Sequence, residues 1–143
     1  QSTDLKSLIQ EVSQQFSGQA RSLSLDLNDV PALSIRPRMI KRALSNLLDN
    51  AIKYGGGDIT VHLNPESHKV VLTVEDNGTG IPAAQREEVK RPFVRLESAR
   101  SDSTGSGLGL AIVERAARLH EGEFILAENT AGGLAAKLAL PIL

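Results

Sequence analysis

The chain has 143 residues, enough for one domain around a single hydrophobic core. Its formal net charge of −1 argues against a nucleic-acid-binding protein, and the absence of cysteine excludes disulfides and thiolate metal sites. Because 41% of the residues are hydrophobic but only 3% are aromatic, the core must be built from aliphatic side chains.

Hydrophobic periodicity and breaker residues predict the elements in chain order. The first half is predicted to contain a helix to about residue 16, a strand at about 23–27, a helix at about 37–54 and two strands at about 58–63 and 69–75. The second half is predicted to contain a short helix at about 82–89, a polar loop at 91–106, a helix at about 108–120 and two strands at about 123–128 and 134–140. Ser2 or Thr3 is expected to cap the first helix. The turn inside the first strand pair is expected to hold Asn64, Pro65 and Ser67. Strand pairs between helices predict an α/β sandwich with helices on one face of a sheet.

The long helix carries a polar stripe on the side away from its aliphatic face. Arg42, Asn46, Asn50 and Lys53 align along this stripe. Asparagine is a mediocre helix former, so two in one helix invite an explanation. One interpretation is a solvated face. The other is a metal–phosphate site, since an amide oxygen suits Mg²⁺ and a lysine can contact phosphate. Helix spacing alone leaves both open.

Asp76 directly follows a strand and precedes two glycines, Gly78 and Gly80. The Asn77–Gly78 pair alone would indicate a hairpin, but the residues from Ile81 onward make a poor partner strand. In the second interpretation the Asp76 carboxylate accepts a hydrogen bond from the exocyclic amine of adenine, and the glycines let the backbone approach the ring. Guanine has a carbonyl there and would leave the carboxylate unpaired, at a cost of about 1–3 kcal/mol.

A second glycine cluster opens the helix predicted near residue 108. Gly105, Gly107 and Gly109 are expected to let backbone N–H groups at the helix start bind phosphate, while Leu108 and Leu110 anchor the loop. The cluster is not a P-loop, because the Lys-Ser/Thr ending is missing. A polar loop before the glycines and a leucine at the last motif position argue against a dinucleotide-binding fingerprint.

In chain order these segments resemble the catalytic and ATP-binding domain of histidine kinases, in the superfamily of gyrase, Hsp90, kinase and MutL ATPases. The resemblance covers residues 38–140 and rests on an N box (46–54), a first glycine box (76–81), an F box (91–95), a second glycine box (105–110) and a weak last element, Gly132–Gly133. The F box and the residues after it most resemble the osmosensing EnvZ subgroup. Val89 departs from the family, which often has a bulky aromatic residue there, and this puts the packing beneath the lid in question.

The resemblance implies a Bergerat fold: a two-layer α/β sandwich with a mixed sheet of about five strands and about three helices on one face. It implies one domain over residues 1–143, a lid at 91–106, and ATP and Mg²⁺ as ligands. Asn50 is the implied metal ligand. The implied nucleotide-binding residues are Asn46, Asn50, Lys53, Tyr54, Asp76, Gly78, Gly80, Ile81, Phe93, Gly105, Ser106, Gly107, Leu108, Gly109 and Leu110.

Asn46, Arg95 and Arg100 are the implied catalytic residues. The two arginines would neutralise phosphate charge in the transition state, although they are also open to interpretation as solvated loop charges. Superfamily members that hydrolyse ATP have a glutamate base near the position of Asn46, and an amide cannot accept that proton. The resemblance therefore implies that ATP is kept intact for a histidine on a separate dimerisation domain of the same protein.

His62, His68 and His120 lack the acidic neighbour of the family's phosphoacceptor box and are expected to be ordinary surface or helix-end residues. A nucleotide sensor without phosphotransfer and a self-sufficient ATPase remain as alternatives. Because the chain starts at Gln1, we expect a fragment of a longer sensor kinase, monomeric and inactive in autophosphorylation by itself. The expected setting is the cytoplasmic part of an inner-membrane protein that acts indirectly on a response regulator, with no nucleic-acid partner.

Overall fold

The computed structural model describes residues 2–20, 22–54, 58–77, 109–128 and 133–142. The helices within these ranges are α1 (Leu5–Phe16), α2 (Pro37–Tyr54) and α3 (Gly109–Leu119). The strands are β1 (Ser2–Thr3), β2 (Ser22–Leu27), β3 (Leu33–Ser34), β4 (Asp58–Glu66), β5 (Lys69–Asp76), β6 (Glu123–Glu128) and β7 (Leu134–Pro141). Across the described ranges, no helix is both long enough and apolar enough to cross a membrane.

Five strands form one mixed sheet in the order β2-β4-β5-β7-β6. β2 runs parallel to β4, and the remaining neighbours are antiparallel. In the centre of the sheet Val61 lies opposite Val74, which lies opposite Ala136. The predicted α/β sandwich with a mixed sheet of five strands and three helices is therefore confirmed.

The core lies between the helices and one face of the sheet. Alternate residues of β4 are buried, as the period of a half-buried strand requires. The predicted aliphatic face of α2 is also confirmed, since its side chains are 0–3% exposed: Ile40, Leu44, Leu47, Leu48 and Ala51. Burying an aliphatic side chain of this size contributes about 1.5–3 kcal/mol, so this face anchors α2 across the sheet.

The start of α1 differs from the prediction. Asp4 is the N-cap, and its side chain accepts a hydrogen bond from the Lys6 backbone N–H at 3.1 Å. The predicted cap, Ser2 or Thr3, was wrong because these two residues are extended as β1 and pair with β3. Further along α1, the Lys6 ammonium bonds the Asp29 carboxylate at 2.6 Å, and this hydrogen bond with its charge lowers the pKa of Asp29.

The first strand pair is longer than predicted. β4 continues through Asn64 and Pro65 to Glu66, so the prediction of a turn at the first two of these residues was wrong. Proline cannot donate a ladder hydrogen bond, but β2 ends opposite Leu63, and Pro65 therefore lies beyond the parallel neighbour. The turn itself includes Ser67, whose φ of 47° is in the left-handed region.

The end of α3 follows the prediction closely. The Gly122 N–H donates to the Ala117 carbonyl at 2.8 Å, and Glu121 has a φ of 58°, the arrangement of a left-handed helix cap. The short helix predicted at 82–89, the polar loop at 91–106 and most of the predicted turn before β7 lie outside the described residues.

Candidate functional site

The amide stripe of α2 lies at the border of its buried face. Asn46 and Asn50 are half-buried, one helical turn apart, whereas Arg42 is exposed. An amide in this position keeps access to a ligand while its neighbours Leu47 and Leu48 hold the helix in the core. The two asparagines therefore occupy a more enclosed position than a face pointing straight away from the core would give them.

Asn46 has a defined orientation. Its Nδ2 donates to the Arg42 backbone carbonyl at 2.9 Å. The other end of the amide, Oδ1, therefore points away from this carbonyl. A Cβ added to Gly109 would lie 3.4 Å from this Oδ1. The last glycine of the second cluster is thus brought against the first asparagine of the stripe, at the N-terminal end of α3. Leu110 is 9% exposed and anchors this end in the core, as expected.

Asp76 is the last residue of β5 and a rare buried carboxylate, with 7% of its surface exposed. Its Oδ1 accepts a hydrogen bond from the backbone N–H of Leu134, the first residue of β7, at 3.1 Å. Gly133 packs directly on it, because an added Cβ would lie 2.0 Å from the Asp76 backbone oxygen and 2.9 Å from Oδ1. α2 packs against β5 from the helix side of the sheet.

The end of α2 carries the other two predicted site residues of the N box, Lys53 and Tyr54. Lys53 Nζ lies 3.0 Å from Asp49 Oδ2, so the ammonium predicted to contact phosphate is paired one turn back along its own helix. Tyr54 is the final residue of the helix. The other predicted site residues lie outside the described part of the chain: Gly78, Gly80, Ile81, Phe93, Arg95, Arg100, Gly105, Ser106, Gly107 and Leu108.

The three histidines are placed away from this site. His62 contacts Asp26 on β2 and Glu75 on β5, from the sheet face opposite the helices. His68 is exposed in the turn before β5. His120 follows α3, where one ring nitrogen lies 2.7 Å from the Ala116 carbonyl and the other accepts the Arg36 N–H at 3.0 Å.

Sequence reasoning missed the backbone partner of Asp76. A buried carboxylate requires a donor, but the sequence does not say which strand lies beside β5. The weak last glycine element was the available signal, since Gly133 directly precedes Leu134. Its importance is a close approach to Asp76 that only the pairing of β5 with β7 reveals.

Residues 35–143 match the family model described as histidine kinase-, DNA gyrase B- and HSP90-like ATPase. The chain belongs to this family. The histidine kinase domain of the E. coli osmosensor EnvZ, solved by NMR, is 38% identical and superimposes with a TM-score of 0.76 over 100% of this chain and 89% of that one. The mycobacterial sensor histidine kinase MprB is 28% identical, with a TM-score of 0.87 over 99% of this chain and 97% of that one.

Curated relatives of this ATPase-family chain include the alginate biosynthesis sensor protein KinB of Pseudomonas aeruginosa, which is 32% identical. That match covers 99% of this chain but only 24% of KinB. The chain thus spans about a quarter of the length of this sensor protein. Family membership assigns ATP as the nucleotide and agrees with the Bergerat fold expected from the motifs.

Proposed function

We propose that this chain holds Mg-ATP between α2, the end of β5 and the start of α3, and gives the γ-phosphate to a histidine on a dimerisation domain of the same protein. The observation that supports the proposal most is the buried carboxylate of Asp76 at a strand end, held by Leu134. Burying a carboxylate is costly, so a buried one at the end of a strand is a candidate for ligand binding.

Adenine recognition is the role proposed for Asp76. A carboxylate offers about four lone-pair sites, so the bond from Leu134 leaves it able to accept another from the adenine amino group. Because Asp76 is only 7% exposed, water competes weakly for that bond. An unmatched guanine would cost about 1–3 kcal/mol. The nucleotide is thereby selected at its base end.

Phosphate and metal binding are proposed for the polar stripe in the middle and last turns of α2 and for the N-terminal end of α3, which meets it at Asn46. The N-terminal end of α3 favours anions, and the half-buried amide oxygens of Asn46 and Asn50 are ligands of the kind that Mg²⁺ accepts. Asn50 would be the metal ligand. When bound, magnesium would neutralise the charge that phosphoryl transfer develops.

Lys53 can be recruited to the phosphates at little cost. Its pair with Asp49 is an exposed contact of the i,i+4 type, worth about 0.3–0.5 kcal/mol. A phosphate group carries more charge than a single carboxylate. Lys53 is therefore proposed to exchange partners on binding, and Tyr54 to line the nucleotide edge.

Transfer rather than hydrolysis is proposed because Asn46 offers no base. Its Nδ2 is occupied by the Arg42 carbonyl, and an amide oxygen does not take a proton from water at neutral pH. Arg95 and Arg100 are proposed to stabilise the transferring phosphoryl group from a lid over 91–106, and Phe93 is proposed to bind the nucleotide. Protection of 95–104 from protease by Mg-ATP would support the lid, and equal cleavage without nucleotide would refute it.

The wider setting is proposed from the relatives' names. KinB is a sensor protein and the EnvZ fragment belongs to an osmosensor, which supports a sensor kinase as the parent of this domain. The proposed context is the cytoplasmic part of an inner-membrane kinase that supplies a response regulator. The domain itself is proposed to be monomeric and to need its histidine domain for autophosphorylation.

Phosphotransfer in trans tests the proposal. The chain is incubated with γ-labelled Mg-ATP and the dimerisation domain, whose phosphoacceptor histidine is replaced by glutamine in the control. We expect acid-labile label on the histidine domain only, and none with Asp76→Asn. Bound ATP without transfer would instead indicate a nucleotide sensor, and rapid release of free phosphate would indicate a self-sufficient ATPase.

A further inference from the structure

Asn77, the residue after Asp76, uses both ends of its side-chain amide on one partner. Its Oδ1 accepts the Asp58 backbone N–H at 3.2 Å, and its Nδ2 donates to Asp58 Oδ2 at 3.1 Å. Asn77 is exposed, and an exposed side chain gains little from ordering unless the contact fixes something. The structure assigns Asn77 and Asp58 as a positioning pair that holds Asp76 for the nucleotide, an inference that rests on the proposed function.

The pair continues the ladder between β4 and β5 by one step. Ile59 lies opposite Asp76 in the antiparallel register, so Asp58 lies opposite Asn77. At this step the side chain of Asn77 supplies two cross-strand hydrogen bonds. The chain is therefore kept in line with β5 for one residue beyond Asp76.

A third strand braces the pair. Ser22, the first residue of β2, donates through its hydroxyl to Asp58 Oδ1 at 3.0 Å. The two carboxylate oxygens of Asp58 thus serve different partners, Ser22 on one side and Asn77 on the other. Asp58 also begins β4 directly after the segment that follows α2. The pair joins the end of the adenine-binding strand to the connection from the amide-bearing helix.

Asp76 is consequently held from both neighbouring strands. On the β7 side, Leu134 donates to its carboxylate and Gly133 packs against its backbone. On the β4 side, the Asn77–Asp58 pair fixes the next residue. A carboxylate that must meet one amino group needs its position set to a fraction of an ångström, and a displacement of about 1 Å can cost about a hundredfold in function.

Swapping the two side chains in a double variant tests the pair without changing net charge, whereas each single variant changes the net charge by one. In Asn77→Asp a carboxylate faces the Asp58 carboxylate, and we expect ATP affinity to fall about tenfold. In Asp58→Asn the new amide can turn its oxygen to Asn77 and its nitrogen to the Ser22 hydroxyl, so affinity should stay within about twofold. In the double variant the amide at position 58 can again donate to a carboxylate at position 77, so most of the ATP affinity should return.

Two readouts are taken on all four proteins: ATP affinity by calorimetry, and the backbone amide resonance of Leu134, which reports the hydrogen bond to Asp76 without nucleotide. We expect this resonance to shift in Asn77→Asp and return in the double variant. Thermal unfolding shows whether a variant has merely lost stability.

The inference is overturned if Asn77→Asp changes only the unfolding temperature, or if the double variant fails to regain both affinity and the Leu134 resonance. A native chain that binds no ATP would refute the proposed function instead. In that case the Leu134 resonance alone still decides whether Asn77 positions Asp76.

Discussion

At the scale of single residues, Asp76 has a structural contact and a proposed binding role, which two substitutions can separate. Its carboxylate accepts the Leu134 N–H, and an asparagine at this position could still do so through its oxygen. The amide nitrogen would then face the adenine amino group, donor against donor. Alanine would remove the acceptor altogether and leave a buried N–H unpaired.

We therefore predict that Asp76→Asn abolishes ATP binding with little change in stability. Asp76→Ala should also abolish binding and, in addition, lower the free energy of unfolding by about 1–3 kcal/mol. Calorimetry measures the first effect and chemical denaturation the second. ATP affinity that survives in Asp76→Asn would be incompatible with adenine recognition by this carboxylate.

Asn50 gives the second prediction at this scale. If its amide oxygen is the magnesium ligand, Asn50→Ala should lose ATP affinity, and its residual binding should be insensitive to removal of Mg²⁺ by a chelator. The native chain should lose affinity when chelator is added. Asn28→Ala is the matched control, since Asn28 is exposed beyond the far end of β2. Magnesium-dependent binding by Asn50→Ala would contradict the assignment.

The candidate site residues stand out in the sequence, but their hydrogen-bond partners do not. An aspartate before glycines and two asparagines in a helix are visible in the sequence, because chemistry restricts those residue types. The partners, the Leu134 N–H and the Asp58 carboxylate, are not visible in the sequence, because strand pairing brings them together. Leu134 is 58 positions from Asp76, and Asp58 is 19 positions from Asn77.

At the scale of elements, the two ends of β7 each meet a glycine in close contact. A Cβ on Gly133 would lie 2.0 Å from the Asp76 carbonyl oxygen, and one on Gly122 would lie 2.0 Å from the Ala139 oxygen. An alanine at Gly133 would therefore clash with backbone beside the proposed site, and an alanine at Gly122 would clash in the same way at the opposite end of β7.

Gly133→Ala and Gly122→Ala should each lower the free energy of unfolding by about 1–3 kcal/mol, because backbone must move to admit the methyl group. Only Gly133→Ala should also weaken ATP binding. Gly18→Ala serves as the neutral control, since nothing lies within 4 Å of its added Cβ. An equal loss of affinity in Gly122→Ala would show that general destabilisation, rather than displaced Asp76, is responsible.

Long elements were predicted well because their signals are local. α2 begins at Pro37 and ends at Tyr54 as predicted, since a proline opens it and three glycines follow it. β1 and β3 have two residues each and carry no periodicity, so their pairing was missed. The predicted cap at Ser2 or Thr3 was wrong for the same reason: pairing with β3 competes with capping.

At the scale of the whole molecule, the proposed nucleotide site is complete only when the helix layer packs on the sheet, so nucleotide binding should be coupled to folding. The proposed site uses α2, β5, α3 and β7, which are distant in sequence and meet only in the folded state. A ligand that binds the folded state alone stabilises it by about 2.7 kcal/mol at a hundred times its dissociation constant.

ATP with Mg²⁺ should therefore raise the unfolding temperature, GTP should raise it much less, and a chelator should remove most of the ATP effect. Differential scanning calorimetry over a range of nucleotide concentrations measures these shifts. Equal stabilisation by ATP and GTP would exclude selection of the base by Asp76.

The fold class and the two-layer arrangement could be predicted from the alternation of helices and strand pairs in the sequence, because each apolar face must be covered by another element. The parallel pairing of β2 with β4 did not follow, since hairpin logic links only neighbours in the chain. This pairing brings Ser22 to Asp58 and so completes a contact that no local pattern contains.

The most direct measurement is a titration with Mg-ATP followed by amide NMR, observing the side-chain amides of Asn46 and Asn50 and the backbone amide of Leu134. If the helix and the strand end serve one ligand, all three signals should move along a single saturation curve, while the amide of Gly18 stays unchanged. Signals that saturate at different concentrations, or a Leu134 resonance that does not respond, would contradict a shared nucleotide site.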